Sequence, residues 1–254
     1  MTANPSETAW ILKQREIFEG KECIHVFYNH MFSLLIDEVS NEQKSGKIVE
    51  IGSGAGFSSN FINDFKYVKT DAIETGFQDE IVDAQSLPYD NQSIDIIFGI
   101  DVFHHISKPF QFLEEVSRVL RKDGKLILIE PAITLMSWPI YKFIHPEPMK
   151  WCVKLSPDSE FSGPDVMDAN NALPSLIFRN NSFGDLSHFN LELKYKTKLF
   201  GFLSMLATGG VNNPKSIPLL SRYVTQLFMW ETKRSKKFAS AFFLRTLVVV
   251  EKNV

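Results

Sequence analysis

"IVEIGSGAGFSSNF", residues Ile48 to Phe61, places three glycines, Gly52, Gly54 and Gly56, directly after an apolar run that carries one acid, Glu50. Glycine loses more backbone freedom on ordering than any other residue. Three of them after a strand therefore imply unusual dihedrals or the close approach of something to bare backbone. The pattern predicts a strand over the apolar run, a glycine loop, and a helix over "AGFSSNFINDF" (55–65). In that arrangement loop N–H groups and a helix N-terminus can reach a ligand. A dinucleotide fingerprint would need glycine at 57, where Phe57 stands, and no Gly-Lys-Ser/Thr follows to make a P-loop. Between Ser53 and Asp64 there is no lysine or arginine to meet phosphates, and the Glu50 carboxylate suits an ammonium better than a pyrophosphate.

Outward from the loop, strand and helix patterns alternate. Residues 8–42 read as helical, with Ile24, Phe27, Met31, Leu34 and Leu35 on one face. "YVKTDA" (67–72), "EIVDA" (80–84), "IDIIFGID" (94–101) and "LILIEPA" (126–132) read as strands. "PFQFLEEVSRVL" (109–120) reads as an amphipathic helix ended at "KDGK", where Gly124 suits a helix C-terminus. Such alternation predicts an α/β fold, a doubly wound and mostly parallel sheet with helices on both faces. After Pro131 the chain turns rich in Pro, Asn, Ser and aromatics, then offers a strand at 191–200, an apolar helix at 217–230 and a last strand at 242–252. The organisation expected is N-terminal helices over 1–45, a ligand-binding core over 46–132, and a cap with the closing strands over 133–254.

Two further acids fall where parallel strands should end. Asp71 lies 21 residues after Glu50, the place for a carboxylate that accepts both hydroxyls of a ribose. Asp83, followed by Ala84, closes the third strand and suits an exocyclic amine such as that of adenine. Ammonium, ribose and adenine without phosphate describe one kind of ligand.

"EIGSGAG", "TDA" and "VDAQSLPYDNQSIDIIFGIDVFHHISKPFQFLEEVSRVLRKDGKLILIEP" together resemble the class I S-adenosylmethionine-dependent methyltransferases of the UbiE-like type, over about residues 46–132. The resemblance implies a Rossmann-like sheet of seven strands with an antiparallel last strand. It implies S-adenosyl-L-methionine as cofactor, with Glu50, Gly52, Ser53, Gly54 and Gly56 at the methionine end and Asp71 at the ribose. Asp83 and the Ala84 backbone would hold the adenine, and Asp101 would face the methionine moiety and sulfonium. Only twelve residues separate Asp71 from Asp83, so the helix usual there is truncated.

The 254 residues carry a net charge of -3, which argues against a broad basic footprint for nucleic acid. Two cysteines make no disulfide framework, no stretch approaches a membrane span, and the N-terminus lacks a signal-peptide pattern, so a cytoplasmic protein is expected. "KRSKK" after the apolar helix reads as a solvated helix end rather than a membrane-docking patch.

His104 and His105 in "DVFHHI" follow the fourth strand, over the cleft that a doubly wound sheet opens. His145 lies in the cap segment beside Trp138, Tyr141 and Glu147, with Asp168, Asn170 and Asn171 further on. Histidine titrates near working pH, so these three are candidate catalytic bases. Packing or capping of that turn is the reading favoured for His105, while for His104 the two readings balance. The histidines and cysteines show no metal-ligand spacing, and no metal is expected. No Asn/Asp-Pro-Pro-aromatic motif follows the fourth strand, which lowers amine methylation on nucleic-acid bases. The expectation is methyl transfer to oxygen or carbon of a small-molecule or lipid- or sugar-linked acceptor. A non-catalytic S-adenosylmethionine-binding module and a nicotinamide oxidoreductase are the alternatives.

Overall fold

The structure, a computed structural model, describes residues 5–145, 147–153, 156, 160–161, 168–178, 186–199, 208–212, 222–231 and 243–253. The basic run at 233–237, residues 217–221 of the expected apolar helix and Phe242 of the expected last strand lie outside the described residues. Residues 222–231 are helical.

Seven strands form one sheet: β1 (Ile48–Glu50), β2 (Val68–Asp71), β3 (Glu80–Ile81), β4 (Ile94–Ile100), β5 (Leu120–Pro131), β6 (Leu191–Leu199) and β7 (Arg245–Lys252), in the order β3-β2-β1-β4-β5-β7-β6. The β1–β5 pairings are parallel, and β7 runs antiparallel between β5 and β6. The order reverses between β1 and β4, so a crevice opens at the carboxyl ends of these strands. Because β7 is antiparallel, its first residue, Arg245, pairs with Pro131 and sits at that same end.

The period of two in the apolar strands builds a core on each face. Ile48, Ile96, Phe98, Ile127, Ile129, Leu247 and Val249 pack with Met31, Phe32, Leu35 and Val39. Val49, Ile97, Leu126, Leu128, Val248 and Val250 pack with Phe112, Leu113 and Val116, and with Phe161, Leu173 and Phe178 of the cap. The N-terminal helical segment is two helices, α1 (Pro5–Glu19) and α2 (Glu22–Asp37), broken at Gly20 and Lys21. α3 (Pro109–Val119) begins with proline in its first turn, where no N–H is needed. The cap contributes α4 (Ser137–Phe143) and α5 (Leu173–Ile177).

Two local expectations are corrected. The helix expected over 55–65 is a single 3-10 turn, Phe57–Asn60. Gly56 precedes it at φ 69°, Ser58 turns its hydroxyl to Glu50 at 2.6 Å, and Phe57 and Phe61 stack on Phe18 and Phe32. Tertiary aromatic packing and side-chain hydrogen bonds outweigh a short helix of Ser and Asn, residues of modest propensity. The left-handed position near "KDGK" is Asp123, at φ 62°, and not Gly124. Gly124 is instead needed for space: a Cβ there would come within 2.9 Å of the Arg121 carbonyl oxygen.

Candidate active site

A cavity of about 770 Å³ opens over the ends of β1, β2 and β4, beneath α1, α2 and the cap. Its size is within the range of small-molecule sites. Glu50, Gly52, Ser53, Gly54, Asp71, Asp83, Ala84, Asp101, His104, His105 and His145 all line it. Gly56 does not; it starts the 3-10 turn, and a Cβ on it would press on Phe77 at 2.9 Å.

The loop glycines differ in what they do. All three have positive φ. A Cβ on Gly52 would meet the Val102 side chain at 2.3 Å, so this glycine lets the loop lie against the β4 end. A Cβ on Gly54 would meet nothing nearer than the Gly52 carbonyl oxygen at 3.9 Å, so this backbone faces the cavity. The Asp71 carboxylate holds the loop, accepting from the N–H of Gly54 at 2.7 Å and of Ile73 at 3.0 Å. Burial raises its pKa against those hydrogen bonds. From outside, the Arg15 guanidinium of α1 donates to the carbonyls of Ala55 and Gly56, each at 3.3 Å. Ser53 Oγ is buried and has no hydrogen-bond partner in the structure, a polar atom left for a ligand. Glu50 is fully enclosed, and burial pushes its pKa up to about 8 despite the Ser58 hydroxyl.

Asp83, at the β3 side, accepts from the Gln85 N–H at 2.8 Å. The Gln85 side-chain oxygen in turn accepts from Ser107 and from the Lys108 N–H. Asp101 takes φ 55° at the β4 end and pairs with Arg245. Burial raises the Asp101 pKa, with Arg245 working in the opposite direction. Tyr28 of α2 lines the same region, and burial raises its pKa well above the ordinary phenol range.

The histidines meet two glutamates. Glu130, near the end of β5, accepts from the N–H of Val102 at 2.9 Å and of Phe103 at 2.7 Å with one oxygen, and its other oxygen lies 2.7 Å from His104 Nδ1. His104 Nε2 is 3.3 Å from Glu147, His105 Nε2 is 3.8 Å from it, and His145 Nδ1 is 3.7 Å from it. Burial opposes charge on His104, but Glu130 and Glu147 prevail and hold its pKa up at about 10. Burial also opposes charge on Glu147, yet the hydrogen bond and charge of His104 keep it at about 2. His105 is pushed down to about 4 by burial and by its neighbour His104. Burial lowers His145 as well. Asn170 and Asn171 are fully buried; Asn170 braces the Lys150 backbone, and Asn171 donates to the Glu147 carbonyl while its Oδ1 has no partner.

Glu130 and Arg245 are the groups that sequence reasoning missed. The signal was present for Glu130, a lone acid in an apolar strand pattern, but its partners lie 26 to 28 residues away. Arg245 is brought to Asp101, 144 residues distant, by the antiparallel β7 alone.

Residues 49–128 match the family model described as "Methyltransferase domain". The chain is 37% identical over 60 residues to phthiotriol/phenolphthiotriol dimycocerosates methyltransferase of Mycobacterium leprae (strain TN), which is 23% of this chain and 22% of that relative. It is 35% identical over 49 residues to 27-O-demethylrifamycin SV methyltransferase of Amycolatopsis mediterranei (strain S699), 19% of this chain and 18% of the relative. These matches thus span about a fifth of the curated relatives' length. Among solved structures, a chain of the Haloferax volcanii complex between the Trm112 methyltransferase activator and a methyltransferase superposes with a TM-score of 0.54 at 13% identity, covering 98% of both chains. Geranyl diphosphate C-methyltransferase from Streptomyces coelicolor A3(2) gives 0.50 at 11% identity, covering 90% of this chain and 80% of that one. Residues 49–128 thus carry the pattern of a methyltransferase domain, with the glycine loop at its start and a sheet of order β3-β2-β1-β4-β5-β7-β6 around it. Among the described residues no helix is long and apolar enough to cross a membrane.

Proposed function

We propose that this protein methylates an oxygen or carbon of a small-molecule or lipid- or sugar-linked acceptor. The observation that carries the reading is the continuous cavity that runs from the Gly54 backbone past Asp101 to the three histidines. S-adenosylmethionine, when bound, supplies an electrophilic methyl group on a sulfonium sulfur. The name of one relative, which refers to a 27-O-demethyl compound, supports transfer to oxygen.

In this reading the core over 46–132 holds the cofactor and the cap over 133–254 shapes the acceptor pocket. The Gly52–Gly54 backbone, Ser53 Oγ and Glu50 take the methionine end. Asp71 both braces the loop and meets the ribose, because each of its oxygens accepts one backbone N–H and keeps a lone pair for a ribose hydroxyl. Asp83 and Ala84 take the adenine, and Asp101 faces the methionine moiety. The cap and α1–α2 exclude water and hold the two reactants in line, from which most of the rate would come. His105 and His145 are the neutral histidines at the acceptor end, available to take or steer an acceptor proton, while His104 is clamped as a cation.

Titration calorimetry with S-adenosylhomocysteine against NADH separates this reading from a nicotinamide enzyme. Formation of S-adenosylhomocysteine from S-adenosylmethionine with candidate acceptors then separates an enzyme from a silent binding module. Tight binding of NADH and none of S-adenosylhomocysteine would overturn the proposal.

A further inference from the structure

Next to the proposed methyl-transfer centre, the adjacent imidazoles of His104 and His105, on the turn Phe103–His105, meet the Glu147 carboxylate from the cap. One ligand-type atom from each of His104, His105 and Glu147 lies within 4.8 Å of the others. The nearest separations are 3.3 Å for His104 Nε2 to Glu147 and 3.8 Å for His105 Nε2 to Glu147. A tetrahedral ion with bonds of about 2.1 Å sets its ligands about 3.4 Å apart; here the imidazoles approach different oxygens of Glu147 at 3.3 and 3.8 Å and the whole set lies within 4.8 Å, so binding draws the three side chains together.

We propose that His104, His105 and Glu147 bind one divalent first-row transition-metal ion at the acceptor end of the cavity, with an oxygen of the acceptor as a further ligand. The acceptor part rests on the methyltransferase reading; the ion site does not. Two imidazoles and one carboxylate suit ions such as zinc, and three protein ligands leave a position open for a substrate atom.

Three features support the site. His104 directs Nε2 to the cluster because its Nδ1 is held by Glu130 at 2.7 Å, and the ion would take the place of the Nε2 proton that the cationic ring otherwise shares with Glu147. That carboxylate–histidine arrangement orients a metal-ligating imidazole and raises its basicity. Charge also favours a cation: Arg245 already answers Asp101, whereas Glu130 and Glu147 both face the imidazoles. Finally, Asn171 is fully buried against Glu147, lines the cavity, and keeps an unpartnered Oδ1, an additional neutral oxygen donor.

The test uses the whole chain, stripped of metal with a chelator and titrated with Co²⁺ and with Zn²⁺ by calorimetry and, for Co²⁺, visible absorption. One saturable site with ligand-field bands is expected. His105→Ala and Glu147→Gln should each weaken binding tenfold or more. Glu130→Gln, a positioning change, should weaken it 10- to 100-fold. His188→Ala, on an exposed turn away from the cavity, should leave it unchanged. Circular dichroism and metal-free S-adenosylhomocysteine binding on each preparation show that the variants are folded and report separately on the cofactor reading. If the parent binds no ion saturably, or if folded His105→Ala and Glu147→Gln bind as the parent does, the site is not a metal site.

Discussion

At the scale of single residues, Gly54 is the sharpest probe of the proposed cofactor loop. Its backbone is left-handed and its missing side chain faces open cavity, with 3.9 Å to the nearest atom. Gly54→Ala should therefore keep the fold at a cost of about 1–2 kcal/mol for the left-handed alanine, and weaken S-adenosylhomocysteine binding tenfold or more. Calorimetry on the folded variant checks this; unchanged affinity would remove the loop from the binding site. Gly52→Ala, by contrast, drives a methyl group into Val102 and should show chiefly as lost stability. Asp83→Asn keeps an oxygen for the Gln85 N–H but removes the charge. Affinity for S-adenosylmethionine should fall by about 1.5–3 kcal/mol, with little change for an analogue lacking the adenine amine. Equal losses for both would count against the adenine assignment. Glu50 adds a pH signature. Its folded pKa, raised by burial to about 8, lies above the ordinary value of 4.5, so the folded state holds the extra proton between these limits. Its contribution to stability is thus fullest below about 4.5 and is lost as pH rises towards 8. Glu50→Gln should flatten that part of the ligand-free stability profile, as measured by denaturant titration across this window.

At the scale of elements, the end of β5 carries the turn that follows β4. Glu130 is fully buried, accepts two backbone N–H groups from residues 102 and 103, and pairs with His104. Removing one partner of a buried pair leaves the other uncompensated. Glu130→Ala should destabilise the protein by about 3–5 kcal/mol, seen as a lower denaturation midpoint. A loss below about 1 kcal/mol would mean that water replaces the carboxylate. The strands themselves were legible in sequence, because alternating apolar residues predict the two buried faces whatever packs on them. The 3-10 turn after the glycine loop was not, because Phe57 and Phe61 are claimed by aromatic rings of α1 and α2 that lie far away in the chain.

At the scale of the whole molecule, the N-terminal helices close the cavity and are tied to the second half of the chain. Lys21 is buried between α1 and α2 and donates to the carbonyls of Thr208 and Gly210. Lys21→Met leaves those acceptors without that donor and should cost about 1–3 kcal/mol, with weaker binding of S-adenosylhomocysteine because α1 and α2 loosen over the cavity. Denaturation and calorimetry on the same preparation test both parts. His145→Ala should leave cofactor affinity intact and lower turnover once an acceptor is known, since His145 belongs to the cap and not to the strand ends. Turnover equal to the parent's would make His145 structural.

Sequence by itself determined the sheet and the glycine loop at its carboxyl end. Glycines with small residues between them, acids at strand ends and a period of two are local signals, and physical chemistry ties each to a backbone conformation or a buried face. Tertiary structure alone decided the histidine–glutamate cluster. Glu130, Glu147, Arg245 and the histidines come from β5, the cap, β7 and the turn after β4, elements separated by up to 144 residues. Their charges, tautomers and partners depend on distances of a few ångströms among buried side chains, where Coulomb and desolvation energies vary steeply with position. Spacing along the chain carries no record of those distances, which is why a chain read as lacking metal-ligand spacing folds to bring two imidazoles and a carboxylate within 4.8 Å of one another.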